Sequence, residues 1–345
     1  MKLLIFHRAT ALVLGLITVW PGAAAGIDLS FPTRNRALLK NDGPDFYMFT
    51  DRDFQGQKST PWTGGKYGYV RTPVATSGGI VYRQFHEGVD IKPLERSSSG
   101  EPLDTVSAAG PGRVVHASNR AGDSNYGRYV VIEHIWDGSP YYSLYAHLNS
   151  IAVSTGQRVR AGEPLGRLGY TGRGIDRRRA HVHFEVNLML SRDFERWHNL
   201  TYPGDTNHHG LYNGLNLAGM DPSRLLVAVA KNPSLSIPDF LRGEEVAFKA
   251  VVPATDKFLL PKLYPWMVRG DAADAKSWEI SFTGSGLPVR LETRGETVSR
   301  AYVSDVQSTK FPLRYVTKGY VTGTSKQPVL TESGRNYLRL VSGDF

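Results

Sequence analysis

The stretch that most constrains this chain is Ala180–Val186, in which two histidines stand two residues apart among apolar and β-branched residues. Such a run predicts a β-strand, and alternate residues of a strand project from the same face. His181 and His183 should therefore lie side by side, with Glu185 next along that face. Two interpretations follow. The histidines are either a hydrogen-bonded structural pair, or one binds a metal ion and the other stands beside it.

A second candidate cluster lies upstream, in the segment His86–Asp90. A histidine and an aspartate four residues apart can converge on one cation if the backbone turns at Gly88, and a glycine followed by valine disfavours a helix. Neutral imidazole and carboxylate groups suit Zn²⁺, which takes four ligands at about 2.0–2.2 Å. His86, Asp90 and one of the paired histidines would leave one position open, which is typical of a hydrolytic site. As an alternative, Asp90 could cap a turn.

The remaining histidines and the absence of cysteine limit the kinds of site that this chain can form. His147 ends a predicted strand and is either a buried structural histidine or a member of the site, whereas His208 and His209 stand in a Gly/Asn-rich stretch that predicts a solvated loop. The chain has no cysteine, which excludes disulfides, thiolate ligands, a cysteine nucleophile and a lipid-modified N-terminal cysteine. Any metal must be held by histidine, aspartate or glutamate.

The first 25 residues are typical of a secretory signal. Lys2 and Arg8 form a positive region, an apolar run follows, and Ala23–Ala25 offers small residues for cleavage. A short membrane anchor is the alternative, but the run is too short to span a bilayer comfortably. We therefore expect an exported protein, in a bacterial periplasm or outside the cell, with no stable membrane anchor after cleavage.

The charge of the chain bears on its partners. The formal net charge is +9, and removal of Lys2 and Arg8 with the signal, which contains no acidic residue, leaves +7. Such an excess suits an anionic polymer such as cell wall. Nucleic acid is the usual partner for this charge, but export and the lack of any helix-turn-helix or RNA-binding pattern argue against it. The oligomeric state is not indicated by the sequence.

The chain divides into four regions, and its fold class is expected to be mainly β. The regions are a signal peptide (1–25), an N-terminal extension that could be a pro-segment (26–66), a region dense in short strands (67–230) and a second β-rich region (235–345). Short alternating runs in the last region, such as Trp278–Phe282 and Tyr337–Val341, predict an all-β sandwich domain.

Four motifs occur in a fixed order along the third region. They are His-x-x-x-Asp at 86–90, Tyr-Ala-His-Leu at 145–148, Gly-Tyr-Thr-Gly at 169–172 and His-Val-His-Phe-Glu-Val at 181–186. Together they resemble the lysostaphin-like (LytM-type) zinc metalloendopeptidases, which cut peptidoglycan cross-links. The likeness covers residues 67–226, including Ala218–Pro222, which is similar to the closing segment of that family. It implies a barrel-sandwich hybrid-like peptidase domain that binds Zn²⁺ and acts on peptidoglycan or its muropeptides.

The resemblance also assigns roles to five residues. It makes His86, Asp90 and His183 the zinc ligands and leaves His147 and His181 on the substrate side of the metal. Zinc-bound water would be the nucleophile. One of these two histidines would help to deprotonate it, and the other would stabilise the oxyanion, without an indication of which does which.

Four further features qualify this assignment. Glu185 and Tyr145 could orient the ligands or could be merely structural. Family members usually carry Ser/Thr-Gly-Pro before the histidine pair, whereas Asp176–Ala180 here contains three arginines. These arginines form either a solvated loop or a site for wall-peptide carboxylates. Some relatives are inhibited by an N-terminal asparagine on the metal, and Asn35, in the segment Phe31–Asn35, is the candidate here.

Three functions follow as alternatives. The leading one is an exported zinc metalloendopeptidase acting on peptidoglycan. A non-catalytic relative that activates a cell-wall amidase is the second, although such relatives typically lack one or more of the five residues, all of which are present here. The third is a zinc peptidase acting on ordinary proteins.

Overall fold

The structure is a computed structural model that describes residues 26–51, 53–56 and 60–345. The predicted signal peptide, residues 1–25, lies outside the described residues. Strands predominate over helices in the described part, which confirms the mainly β fold class. Within the same ranges, no helix combines the length and the apolar character that crossing a membrane requires.

The strands and helices of the described residues have the following bounds. The strands are β1 (Gly68–Thr76), β2 (Gly79–His86), β3 (Val89–Ile91), β4 (Thr105–Ser107), β5 (Gly112–Ser118), β6 (Arg128–Trp136), β7 (Ser139–Leu148), β8 (Ser150–Ile151), β9 (Arg158–Val159), β10 (Pro164–Arg167), β11 (Val182–Met189), β12 (Leu217–Met220), β13 (Phe248–Pro253), β14 (Val268–Arg269), β15 (Ser277–Phe282), β16 (Pro288–Arg294), β17 (Tyr302–Val306), β18 (Val321–Thr324) and β19 (Gln327–Leu330). The α-helices are α1 (Phe194–Thr201), α2 (Pro222–Lys231), α3 (Ile237–Arg242), α4 (Leu260–Leu263), α5 (Leu313–Val316) and α6 (Glu332–Ser342).

The middle of the chain is built on a seven-stranded sheet. Strands β12, β11, β7, β6, β5 and β9 follow one another in that order, and β3 also pairs with β11. A second sheet has the order β4–β10–β8, and its Val106 and Leu165 share one apolar core with Val130 and Phe184 of the large sheet. Two open sheets around a common core correspond to the predicted barrel-sandwich hybrid-like domain.

The N-terminal extension belongs to this core. Ile27, Phe31 and Phe46 are buried in it, and the backbone N–H of Met48 donates to the carbonyl oxygen of Asp90 over 2.7 Å. Residues 26–51 therefore support the strand that carries one candidate ligand.

Asn35 lies away from the candidate site, contrary to the hypothesis that it reaches the metal. Its side-chain nitrogen donates to the carbonyl oxygens of Asp45 and Lys92, at 3.0 and 3.2 Å, and its side-chain oxygen accepts from the backbone N–H of Ala37 at 3.1 Å. Both ends of the buried amide are thus engaged by backbone groups, and the asparagine stabilises a turn.

The C-terminal region contains helices as well as strands. Its five-stranded sheet has the order β14–β16–β15–β13–β17, the two-stranded sheet β18–β19 lies against β17, and helix α6 packs on β13 and β19. The segment Tyr337–Val341, expected to be a strand, lies within α6. Its buried residues Tyr337, Leu338 and Val341 follow the helical period, and the ring of Tyr337 contacts that of Phe282 with centroids 5.9 Å apart.

The β1–β2 hairpin is held between the two regions. The hydroxyl of Tyr69 donates to the carbonyl oxygen of Gly284 at 2.7 Å and accepts from the backbone N–H of Lys318. The ammonium group of Lys318 also pairs with the carboxylate of Glu87. Because Glu87 directly follows His86, the C-terminal region fixes the chain on which a candidate ligand lies.

Candidate metal centre

Strand β11 brings the two sequence clusters together. His183 lies opposite Asp90 of β3 on one side and opposite Ala146 of β7 on the other. Because alternate residues of an extended chain share a face, His181, His183 and Glu185 follow one another along the same surface. All eight residues of β11 are buried, although His183, Glu185 and Asn187 alternate with apolar residues along it.

The chain bends at Gly88, between two of the candidate ligands. Strand β2 ends at His86 and β3 begins at Val89. A Cβ atom added to Gly88 would lie 2.4 Å from the carbonyl oxygen of Phe184 and 3.0 Å from the ring of His183. Glycine is therefore required here because the backbone passes close to the Phe184 carbonyl and the His183 ring.

The donor atoms of His86, Asp90 and His183 form a small triangle, called the ligand triangle below. Asp90 Oδ1 lies 3.1 Å from His86 Nε2 and 3.0 Å from His183 Nδ1, and the two nitrogens are 3.0 Å apart. Donor atoms that share a tetrahedral ion at about 2.0–2.2 Å lie roughly 3.4 Å from one another. The triangle is close to this size, and all three side chains are buried.

Hydrogen bonds on the far side of each ring fix the tautomers of the two histidines in the triangle. His86 Nδ1 donates to the carbonyl oxygen of Lys66 at 2.7 Å, and His183 Nε2 donates to Glu185 Oε1 at 2.7 Å. His86 Nε2 and His183 Nδ1 are therefore the ring nitrogens that face the triangle. Two nitrogens and one carboxylate oxygen at these distances fit Zn²⁺.

The protonation of the triangle reflects burial and charge together. Burial would raise the pKa of Asp90, but His181 and Arg71, among other neighbours, outweigh it and hold that pKa well below its usual range. Burial would lower the pKa of His183, but hydrogen bonds to Asp90 and Glu185 reverse this effect and raise the pKa to about 9. A cation that binds to His183 Nδ1 would therefore displace a proton.

His147 and His181 lie beside the triangle, with ring centroids 4.8 Å apart. His147 Nδ1 donates to the carbonyl oxygen of Thr171 at 2.9 Å, and His181 Nδ1 donates to that of Arg179 at 2.6 Å. The bond of His147 leaves its Nε2 lone pair available, whereas Nε2 of His181 faces the carboxylate of Asp90. The backbone of His147 has φ +64°, a left-handed conformation that is uncommon outside glycine and that occurs often at functional sites.

The two histidines beside the triangle differ in their surroundings. Burial lowers the pKa of His147 well below its usual range, and the neighbouring His181 and His183 lower it further. His147 is therefore neutral near pH 7 and can accept a proton. His181 Nε2 instead lies 3.3 Å from Asp90 Oδ1, at the edge of the triangle.

Of the two candidates for an orienting group, Glu185 contacts a ligand and Tyr145 does not. Glu185 is fully buried; its Oε1 binds His183, and its Oε2 accepts from the side-chain amide of Asn187 at 3.0 Å. The Tyr145 hydroxyl accepts from Ser143 and from the backbone N–H of Ala109, away from the triangle. Glu185 therefore orients His183, and Tyr145 is structural.

The Glu185→Gln variant is expected to bind Zn²⁺ about 10- to 100-fold more weakly, because a charged partner raises the basicity of a ligating imidazole and fixes its tautomer. Competition with a chromophoric chelator measures the affinity. Glu133→Gln is the matched control, since Glu133 is a strand carboxylate that accepts from Tyr142 at 2.9 Å, and it does not touch the triangle. Equal zinc affinities for the two variants would contradict the role of Glu185.

The arginine segment before the histidine pair forms a short 3₁₀ turn at Arg177–Arg179. Arg177 pairs with Glu101 and Arg178 with Asp51, each at 3.3 Å, so both guanidinium groups already have acidic partners on the surface. Only Arg179 of the segment lines the cleft described next. The turn is thus largely solvated, and one of its arginines faces the site.

The triangle lies at the floor of an open cleft of about 940 Å³. Residues that the sequence did not single out also line it: Arg71, Tyr126, Arg173 and Lys318. His208 and His209, expected in a solvated loop, line it too, and His209 Nδ1 lies 2.9 Å from the hydroxyl of Tyr129. A loop without periodicity gives no sign of folding back over a sheet, so this position was not predictable from sequence.

Comparison with known proteins agrees with these motifs. The sequence profile described as Peptidase family M23 matches residues 84–193. Murein hydrolase activator NlpD of Escherichia coli is 32% identical over 117 residues, which cover 34% of this chain and 25% of that protein. Peptidoglycan DD-endopeptidase ShyA of Vibrio cholerae is 35% identical over 97 residues, which cover 28% of this chain and 20% of that protein. The chain thus spans a quarter or less of the length of these two relatives.

Among solved structures, the catalytic domain of lysostaphin from Staphylococcus simulans aligns with 23% identity over 49% of this chain and 98% of that domain, with a TM-score of 0.28. The profile match includes His86, Asp90, His147, His181 and His183. Residues 84–193 therefore carry a domain similar to peptidase family M23, in agreement with the resemblance of the motifs to the lysostaphin-like (LytM-type) peptidases.

Proposed function

We propose that this protein is an exported zinc metalloendopeptidase that hydrolyses peptide bonds in peptidoglycan cross-links. The observation that carries the proposal is the convergence of five residues in one cleft. His86, Asp90 and His183 form the ligand triangle, and His147 and His181 stand next to it. Three protein ligands with an open side are typical of catalytic rather than structural zinc sites.

Each group has a defined part in the proposed reaction. A bound zinc ion supplies Lewis-acid chemistry, which polarises a peptide carbonyl and makes water more acidic. Of the two histidines beside the triangle, one accepts a proton from the attacking water and the other donates a hydrogen bond to the developing oxyanion. Because Nε2 of His181 lies 3.3 Å from Asp90 Oδ1, His147 is the better placed of the two to accept this proton. Glu87, an acidic residue of the cleft wall, is already paired with Lys318.

Two arginines of the cleft could contact the proposed substrate. Arg71 and Lys318 are already paired with Asp90 and Glu87, whereas Arg173 and Arg179 also line the cleft, and guanidinium groups bind carboxylates such as those of wall peptides. The similarity to ShyA, named as a peptidoglycan DD-endopeptidase, favours the same class of substrate. Export follows from this substrate and from the signal-like segment at residues 1–25.

A second candidate function is activation of a separate murein hydrolase, which the similarity to NlpD favours. An activator has no need of a metal triangle or of a neutral histidine next to it. The complete set of five residues therefore favours the peptidase. A zinc peptidase that acts on ordinary proteins would use the same residues and differs only in its substrate.

Removal of the metal is expected to abolish hydrolysis. We expect the chain Gly26–Phe345 to clear purified peptidoglycan, to lose this activity at least about 100-fold after dialysis against a chelator, and to regain it with one equivalent of Zn²⁺. Turbidity measures the clearing, and mass spectrometry of the released muropeptides identifies the bond that is cut. Re-addition of Mg²⁺ is the control, because Mg²⁺ prefers oxygen ligands.

Each alternative predicts a different result. An activator would be inert alone, and its stimulation of an added amidase would survive metal removal. A peptidase for ordinary proteins would cleave an unfolded protein in a zinc-dependent manner and leave peptidoglycan intact. Either result would overturn the proposed function.

A further inference from the structure

Arg71 lies against the ligand triangle, although it stands outside the residues that match the family profile. It belongs to β1, which pairs with β2, the strand that ends at His86. The guanidinium group of Arg71 reaches the carboxylate of Asp90 on β3. Asp90 is 2% exposed, so this is an ion pair with a buried carboxylate rather than a surface contact.

The backbone of β1 is shaped in a way that directs Arg71 inward. The register with β2 shifts between Tyr69, which lies opposite Phe85, and Arg71, which lies opposite Gln84, so one extra residue forms a β-bulge. Thr72, a β-branched residue, has φ +53°. Bulges redirect side chains, and left-handed backbone at a β-branched residue is strained and occurs most often near functional sites.

Hydrogen bonds hold the guanidinium group of Arg71 through two of its nitrogens. Its Nε donates to the carbonyl oxygen of Gly64 at 3.0 Å, and its Nη2 donates to Asp90 Oδ2. Nη2 also lies 3.2 Å from His86 Nε2. The lone pair of His86 Nε2 can bind only one partner. A cation bound at this nitrogen would therefore replace its contact with Arg71 Nη2, and Nη2 would keep its hydrogen bond to Asp90 Oδ2.

The two oxygens of Asp90 thus have separate partners. Oδ1 lies 3.0–3.3 Å from nitrogens of His183, His86 and His181, whereas Oδ2 binds Arg71. We infer that Arg71 is a positioning residue that occupies Oδ2, so that Asp90 presents Oδ1 alone to the metal. A carboxylate that offers one oxygen suits four-coordinate Zn²⁺, and a carboxylate free to offer two suits cations of higher coordination number.

This inference rests on the metal site of the proposed function, and its test measures binding rather than hydrolysis. Loss of a positive charge changes the affinity of every dication, but it does so to a similar degree for Zn²⁺ and Mn²⁺. The ratio of the two affinities therefore isolates the geometry of the site from its charge. In the Arg71→Met variant, which keeps a long side chain without donors, we expect the preference for Zn²⁺ over Mn²⁺ to fall about tenfold.

Competition titrations on Gly26–Phe345 give both affinities, and the visible spectrum of bound Co²⁺ gives the coordination number. We expect the Co²⁺ absorption of Arg71→Met to fall about twofold as the coordination number rises above four. Arg83→Met is the matched control, because Arg83 lies exposed on the same hairpin, and it should behave as the unsubstituted chain. Arg71→Lys retains the charge without the planar fork and should show most of the shift.

The outcomes separate the possible failures. If Arg71→Met changes both affinities by the same factor and leaves the Co²⁺ spectrum unchanged, Arg71 acts through charge alone and the inference is wrong. If Zn²⁺ binds more tightly to Arg71→Met with an unchanged preference over Mn²⁺, Arg71 competes with the metal, which also overturns it. If the unsubstituted chain binds no Zn²⁺, the proposed function itself fails.

Discussion

His183→Ala is expected to abolish both zinc binding and peptidoglycan hydrolysis, with a loss of activity above roughly 10³-fold. His183 Nδ1 is one of the three donor atoms of the ligand triangle, and its ring is the sole bridge between the buried carboxylates of Asp90 and Glu185 among the hydrogen bonds of the described residues. Removal of the ring deletes a ligand and leaves Glu185 without its imidazole partner. Zinc content after gel filtration and the rate of clearing measure the two effects.

The matched control for this prediction is His134→Ala. His134 is also a buried strand histidine, it bonds to Pro111 and Ser143 at 2.7 Å each, and its ring stacks on Trp136 with centroids 4.6 Å apart. Its loss should lower the melting temperature, because a buried hydrogen-bonded ring is removed, while one zinc per chain is retained. If His183→Ala retained zinc and cleared peptidoglycan, the assignment of the triangle would be wrong.

The contrast between His134 and His183 also shows what the sequence could predict. Both histidines lie in apolar strand segments, so burial and strand position alone do not tell them apart. The two-residue spacing of His181 and His183, together with the motif at 86–90, distinguishes this pair from His134, and the family resemblance then selects His183 as the ligand. The bend at Gly88 was likewise predictable, because glycine interrupts two extended runs whose ends carry the ligand side chains.

Arg71 and Lys318 could not have been identified in this way. A β-bulge leaves no periodic signal, and the strained Thr72 looks like an ordinary strand residue in the sequence. Lys318 stands more than 200 residues after Glu87, with which it pairs, and a single charge in a turn carries no information about so distant a partner. Tertiary contacts of this kind depend on how the two regions dock rather than on local pattern.

The C-terminal region shows a different limit of sequence analysis. The run Tyr337–Val341 contains four apolar residues in five, which fits a short strand and a buried helical face equally well. The helix becomes evident only over the full span of α6, where Thr331 caps the N-terminus by accepting from Gly334 and Gly343 ends the helix with φ +71°. The capping residues, rather than the pattern of apolar residues, indicate the helix here.

His147→Gln is expected to keep zinc but to reduce hydrolysis by about 10²- to 10⁴-fold. The side chain touches none of the three donor atoms through a hydrogen bond in the described structure, so the ligand triangle should remain intact. Glutamine preserves a polar group of similar reach but cannot accept a proton near neutral pH. Measurements of zinc content, kcat and KM should therefore show a lower kcat and little change in metal binding.

A second histidine of the cleft provides the control for this prediction. His209→Gln removes an imidazole that lines the same cleft, but its ring bonds to Tyr129 rather than to a residue of the triangle, which predicts a change in kcat of less than about threefold. Because His147 and His181 act in one chemical step, one on the attacking water and the other on the oxyanion, the double variant His147→Gln/His181→Gln should be little slower than either single variant. Additive losses would mean that the two residues work independently, and loss of zinc from His147→Gln would mean that His147 supports the metal rather than the reaction.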